Sequence, residues 1–263
     1  MSSGMRVVAT VESRMTSSRL PGKSMLPILG KPMLGRLLER LKRSRRADVI
    51  CVATTDDPRD DVLIDLARGE GVEVFRGSVD DVLSRVLGAA KSVQADIIAE
   101  ITGDCPLVDP GILDAVLGRY LKGGHDYVAN ILDCLTFPAG LDVQVYSVAL
   151  LEEVSQLTQE PADRADVTPF IYHNPDRYRL LNVQAPPDLC RPDYWLAVDY
   201  RQDFEVVSSV YRALYNLNPD FDARAIIHFL DSRSDVVANN SGLHNPSDHP
   251  SSDGKALQEV LSI

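Results

Sequence analysis

Apolar and polar positions along the first hundred residues switch repeatedly between two periods. The short run Val7-Val8-Ala9-Thr10-Val11 reads as a buried strand. Leu34, Leu37, Leu38 and Leu41 then recur at helical spacing, with Arg36, Arg40 and Lys42 expected on the other faces. Residues 49–53 predict a second strand, and residues 59–69 a helix that carries Val62, Leu63 and Leu66 inward and stops at Gly69. A strand over 72–75, a helix with Val82, Leu83, Val86 and Leu87 inward, and a strand over 95–101 follow. Strand–helix units joined by short links predict an α/β protein: a mostly parallel sheet in a three-layer α/β/α sandwich.

The second half is less regular. A strand pattern begins after Gly140, an apolar strand is expected to deliver Asp199 to its end, and a helix is expected from about Arg201 to Leu217. One α/β domain is expected over residues 1–237. Residues 238–263 read as a tail rich in Asn, Ser, Asp, His and Pro, flexible in its first part. Ala256, Leu257, Val260 and Leu261 are spaced for one short helix within it. His173 reads as structural, and His244 and His249 are too isolated to suggest a metal site.

The chemistry concentrates in the loop after the first strand, Ser13-Arg14-Met15-Thr16-Ser17-Ser18-Arg19-Leu20-Pro21-Gly22-Lys23. Arg14, Arg19, Lys23 and free backbone amides at the carboxyl end of a strand suit a polyphosphate, which points to a nucleotide. Gly22-Lys23-Ser24 is not a P-loop, because Ser17 stands where that motif needs glycine, and no dinucleotide fingerprint occurs.

Charge sharpens this picture. The formal net charge is -11, which argues against nucleic acid or an anionic membrane surface as partner, so the cationic loop runs against the global sign. The absence of an eighteen-residue apolar run predicts no membrane span. Cys51, Cys105, Cys134 and Cys190 show no metal or disulfide pattern, and a reduced, cytoplasmic protein is expected.

Two aspartates stand at predicted strand ends. Asp104, in Thr102-Gly103-Asp104-Cys105-Pro106-Leu107, either holds Mg²⁺ or closes a turn. Asp199 is either a second ligand or the cap of the following helix, whose amino end Asp203 would stabilise. Asp109, before Pro110, reads as an N-cap.

The loop, followed by Gly30-Lys31-Pro32-Met33, and the Gly103-Asp104-x-Pro106-Leu107 segment together resemble the cytidylyltransferases that activate acidic sugars. The branch it resembles most is the spore-coat polysaccharide biosynthesis protein F group. The resemblance implies a nucleotide-diphospho-sugar transferase (GT-A-like) fold and a homodimer. It implies transfer of CMP from CTP to an acidic small-molecule acceptor, with release of pyrophosphate. By it, Arg14, Arg19, Gly22 and Lys23 hold the triphosphate, with Arg14, Lys23 and Asp104 catalytic and Asp104 and Asp199 binding Mg²⁺. Arg76 and Gly77 are then placed near the base or ribose. Asp142, Gln144, Arg164 and Tyr172 fall in an acceptor and dimer subregion over about 131–185. Three departures stand out: Thr102 replaces a glutamine, Glu12-Ser13 replaces Gln-Ala, and Ala165-Asp166 replaces Glu-His. A phosphonate or sugar-phosphate acceptor, a glycosyltransferase and a nucleotide sensor are the alternatives.

Overall fold

The computed structural model describes residues 4–245 and 250–263, so His249 lies outside the described residues. The chain opens with β1 (Val7–Glu12), whose side chains alternate between two cores: Val7 and Val11 face one, Val8 the other. After a long loop, a short ribbon of β2 (Pro27–Ile28) and β3 (Lys31–Pro32) turns the chain into α1 (Met33–Leu41). Then come β4 (Val49–Thr55), α2 (Asp61–Gly69), β5 (Glu73–Gly77), α3 (Val82–Ser92), β6 (Ile97–Thr102) and α4 (Pro110–Leu121). The second half adds β7 (Tyr127–Ala129), β8 (Gln144–Ser147), α5 (Val148–Leu157), α6 (Pro161–Ala165), α7 (Pro169–Tyr172) and β9 (Leu180–Gln184). It ends with α8 (Arg201–Leu214), α9 (Ala223–Asp231), α10 (Ser234–Val237) and β10 (Leu257–Val260).

The main sheet has the order β10-β9-β7-β8-β6-β1-β4-β5, parallel throughout except where β8 pairs antiparallel with β6 and β7. Helices α1, α2, α4, α8 and α9 bury their apolar stripes on one face, and α3, α5 and α7 on the other. A fully buried leucine such as Leu34, Leu37 or Leu38 contributes about 2 kcal/mol, so this two-sided burial supplies most of what holds the layers.

Four expectations give way. Arg36 and Arg40 are buried, not solvated. Arg40 donates to Val108 O at 2.7 Å and Phe221 O at 3.1 Å, and its guanidinium lies over the Phe221 ring, so carbonyls and an aromatic face replace water. The segment before Asp199 is not a strand. It makes one bridge, Trp195 to Ala139, because Gly140 turns away at φ 95° and ends the pairing. Helix α8 stops at Leu214 rather than Leu217. The expected short helix near the end is strand β10: its backbone pairs with the free edge of β9, a tertiary gain that overrides a weak local preference. With Asn240 and Ser252 also buried, the described part of the tail packs against the domain.

Candidate active site

The site forms where β1 and β6 end side by side, with Glu12 in register with Thr102. Gly103 N–H donates to Glu12 O at 2.9 Å, and a Cβ on Gly103 would lie 2.4 Å from that oxygen. This close approach carries Asp104 against the loop that leaves β1.

That loop is fixed from below. Met15 N donates to the buried Asp60 at 2.7 Å, and the Asp60 carboxylate also accepts from Thr54 and Thr55. The Ser13 and Ser24 hydroxyls meet at 2.8 Å. Gly22 takes φ 75°, which glycine adopts without steric cost, and its amide bonds Met15 O while that of Lys23 bonds Leu20 O. The amides of Met15, Gly22 and Lys23, expected to be free for a ligand, therefore serve the loop's own shape.

This shape points Lys23 inward, where it is 9% exposed. Its Nζ donates to Asp104 Oδ2 at 2.8 Å, to Val198 O at 2.7 Å and to Asp199 Oδ1 at 3.2 Å. Burial works against the ammonium, but the Asp104 and Asp199 carboxylates outweigh it and hold its pKa above the ordinary value. For Asp104 burial likewise opposes charge, yet Lys23 and Thr102 keep its pKa below the usual range. Arg19 reaches Asp199 Oδ1 at 2.6 Å from the solvent side, and exposed Arg14 lines the same cleft. Asp199 is delivered by the Val198 N–H bond to Asp104 O at 2.8 Å. It is also fixed by Asp203, whose Oδ2 accepts from Asp199 N at 3.0 Å and Tyr200 N at 2.8 Å. Asp109 caps α4, accepting from Gly111 N and Ile112 N.

Arg14, Arg19, Lys23, Asp104 and Asp199, drawn from both halves of the sequence, thus meet at one place. The remaining expected site residues stand apart from the cleft lining. Arg76 bonds Thr55 O, Asp57 O and Asp61, which turns it toward the start of α2, and Gly77 packs against Phe75 and Arg85. Gln144 Oε1 accepts from Tyr127 and Thr168 beneath the surface. Arg164 joins α6 to the N-cap of α3 through Asp81 at 2.6 Å. Tyr172 is buried with its ring edge-on to His173. Asp142 accepts from Gly140 N, and burial, reinforced by Asp104, pushes its pKa up to about 7.

The cleft, of about 260 Å³, has a further wall of Glu12, Arg85, Glu100 and Asp166, in which Glu12 and Asp166 are two of the departures from the family pattern and Glu100 was not singled out in the sequence. Burial raises the pKa of Glu100 to about 8, with its Oε2 accepting from the Tyr146 hydroxyl. Burial and then the neighbouring Glu100 raise Glu12, whose buried Oε1 has no hydrogen-bond partner. Burial also raises Asp166. At neutral pH Glu100 is therefore mostly protonated. Val167, next to Asp166 in the chain, holds φ 64°, a strained conformation for a β-branched residue. The usable signal for this wall was polarity inside an apolar strand: Glu100 interrupts Ile97-Ile98-Ala99 and Ile101.

Among the described residues no cluster of three or more His, Cys, Asp or Glu side chains could hold a metal, and no helix is long and apolar enough to cross a membrane. Two carboxylates converging on one cation are what the chain offers, a donor set that suits Mg²⁺ when phosphate and water complete its shell.

Comparison with known proteins now decides the family. The cytidylyltransferase family model matches residues 8–226, a span that contains the loop, Asp104 and Asp199. The chain belongs to the cytidylyltransferase family. This cytidylyltransferase is 31% identical to the spore coat polysaccharide biosynthesis protein SpsF of Bacillus subtilis over 88% of its own length and 96% of that protein. It is 34% identical to an uncharacterized protein of Methanocaldococcus jannaschii, over 92% and 98% of the two chains. Among solved structures, a cytidylyltransferase from Leptospira borgpetersenii superposes with a TM-score of 0.84 at 31% identity, covering 92% of this chain and all of that one. A CMP:2-keto-3-deoxy-manno-octonic acid synthetase complexed with CTP shares the fold, with a TM-score of 0.61 at 19% identity over 79% and 99% of the two chains. The α/β sandwich is thus that of the nucleotide-diphospho-sugar transferases.

Proposed function

We propose that this cytidylyltransferase transfers CMP from CTP to a small acidic sugar of the 2-keto-3-deoxy acid class, releasing pyrophosphate. The observation that carries the reading is Lys23 Nζ bound at once to Asp104 and Asp199 under a cationic loop. CTP and the acceptor class are supported by the relative named for spore coat polysaccharide biosynthesis and by the fold neighbour held with CTP.

The acceptor hydroxyl oxygen attacks the α-phosphorus in line as the bond to the β-phosphate oxygen breaks; its proton passes to water and pyrophosphate leaves. Arg14, Arg19 and Lys23 neutralise the triphosphate and the leaving group. Asp104 and Asp199 would hold Mg²⁺, which when bound supplies further charge neutralisation at the phosphate oxygens. Glu100, neutral at pH 7, offers a hydrogen-bonding wall to sugar hydroxyls.

The test is pyrophosphate release with Mg²⁺, pairing each of the four nucleoside triphosphates with a panel of 2-keto-3-deoxy acids and phosphonates. Release with CTP and one sugar acid is the expected result. Release with a phosphonate would replace the acceptor class, and absence of CTP binding would overturn the reading. A homodimer, proposed from the family resemblance, is read by light scattering.

A further inference from the structure

Past α10, the chain runs back over the amino end of α8. Asn240 is buried, and its Nδ2 donates to Trp195 O and to Asp203 Oδ1, both at 2.9 Å. His244 Nε2 meets the same Oδ1 at 2.9 Å, and its ring lies flat on Trp195, with centroids 3.9 Å apart and planes 4° from parallel. The fully buried Asp203 carboxylate therefore has two faces: Oδ1 takes the tail, and Oδ2 takes the amides of Asp199 and Tyr200. A carboxylate oxygen only accepts hydrogen bonds, so the His244 tautomer that bonds it donates from Nε2. The tail reaches the cationic loop as well: the His244 ring is 5.6 Å from Tyr200, over which Arg19 sits at 5.7 Å.

We propose that Asn240 and His244 are positioning residues, which lock Asp203 and through it the peptide that aims the Asp199 carboxylate into the site. The proposal rests on reading Asp199 as a metal carboxylate. Its physical basis is satisfaction of a buried anion. Without the tail donors Oδ1 faces Trp195 with its lone pairs unmet, an arrangement costly enough to turn the carboxylate toward water. That rotation releases the Asp199 and Tyr200 amides and loosens the first turn of α8.

Trp195 is the single tryptophan of the chain, so its fluorescence reports the His244 stack directly. The experiment compares His244→Ala, Asn240→Ala and His244→Gln with Asp199→Asn in the full chain. Mg²⁺ binding is titrated calorimetrically in the presence of CTP, alongside tryptophan emission and the split between kcat and KM. Loss of such an outer support should raise the Mg²⁺ midpoint about tenfold in His244→Ala and lower kcat with little change in acceptor KM. His244→Gln, which keeps a donor but not the ring, should recover much of the midpoint while its emission stays altered. Combined with Asp203→Asn, His244→Ala should add nothing further, since both act through one carboxylate. A wild-type midpoint in His244→Ala, beside a shifted one in Asp199→Asn, overturns the proposal. A wild-type midpoint in Asp199→Asn overturns instead the site reading beneath it. If His244→Ala does not fold, the midpoint of Asn240→Ala is set against that of Asp199→Asn in the same way.

Discussion

Replacing Lys23 by methionine separates the two jobs of its ammonium. The substitution keeps the stem length and removes the cation that lies 2.8 Å from Asp104 and 3.2 Å from Asp199. Two carboxylates are then left facing each other, and breaking a buried ion pair by deleting one member costs about 3–5 kcal/mol. The Asp104 side chain is 25% exposed and Asp199 keeps Arg19, so the lower end, about 3 kcal/mol, applies. For a domain of this size that lowers Tm by roughly 6–12 °C. Mg²⁺ at a hundred times its Kd returns about 2.7 kcal/mol, so thermal melts should show the variant gaining far more from Mg²⁺ than the wild type does. Turnover does not recover. On the proposed reading Lys23 also neutralises the triphosphate, and losing such a group costs about 10²–10³ in kcat. A Lys23→Met protein with wild-type Tm without metal, or with wild-type pyrophosphate release, would refute this account of the site.

Three further outcomes follow from the same geometry. Asp104→Asn should lower kcat by about 10²–10³ while circular dichroism shows the fold retained. Glu100 is buried with its pKa raised from 4.5 to about 8, so the folded state binds more protons than the unfolded between those values and stability falls as pH rises through that window. Glu100→Gln should flatten the fall in Tm between pH 5 and 8. Gly140→Ala forces φ 95° on a residue with a Cβ and sets that atom 2.4 Å from Ala197 N. A loss of about 1–3 kcal/mol is expected, with turnover reduced because the Trp195–Asp199 segment must move; denaturant melts and assay check both.

The clearest strands to read were those buried on both faces, and the edge strand β5 was legible as well. β1, β4 and β6 carry mostly apolar runs, and the helices between them carry clear apolar stripes. The loop cations and Asp104 were legible for a different reason: the ends of β1 and β6 put them on one sheet edge. Asp199 comes to the same place without the expected strand, held by the Val198 amide and by Asp203. β10 was not legible, because its four residues are exposed and depend on a partner edge far away in sequence. Arg36 and Arg40 misled because charge predicts exposure, whereas carbonyls and aromatic faces received them. Arg76, placed near the base or ribose by the resemblance, is instead held by three local acceptors. The acidic wall and the His244 stack lie in tertiary contacts between segments that carry no shared local pattern.

The meeting of Lys23 with Asp199 across 176 residues, and of Asp203 with His244 across 41, has a consequence for how the molecule matures. Each contact requires a long loop closure before any attraction rewards it. A nascent chain can complete the β1–β6 half with its lysine and first aspartate in place and still be chemically silent. On the proposed reading, competence needs Asp199 and its supports from later in the chain, so recovery of turnover during refolding should lag the return of secondary structure.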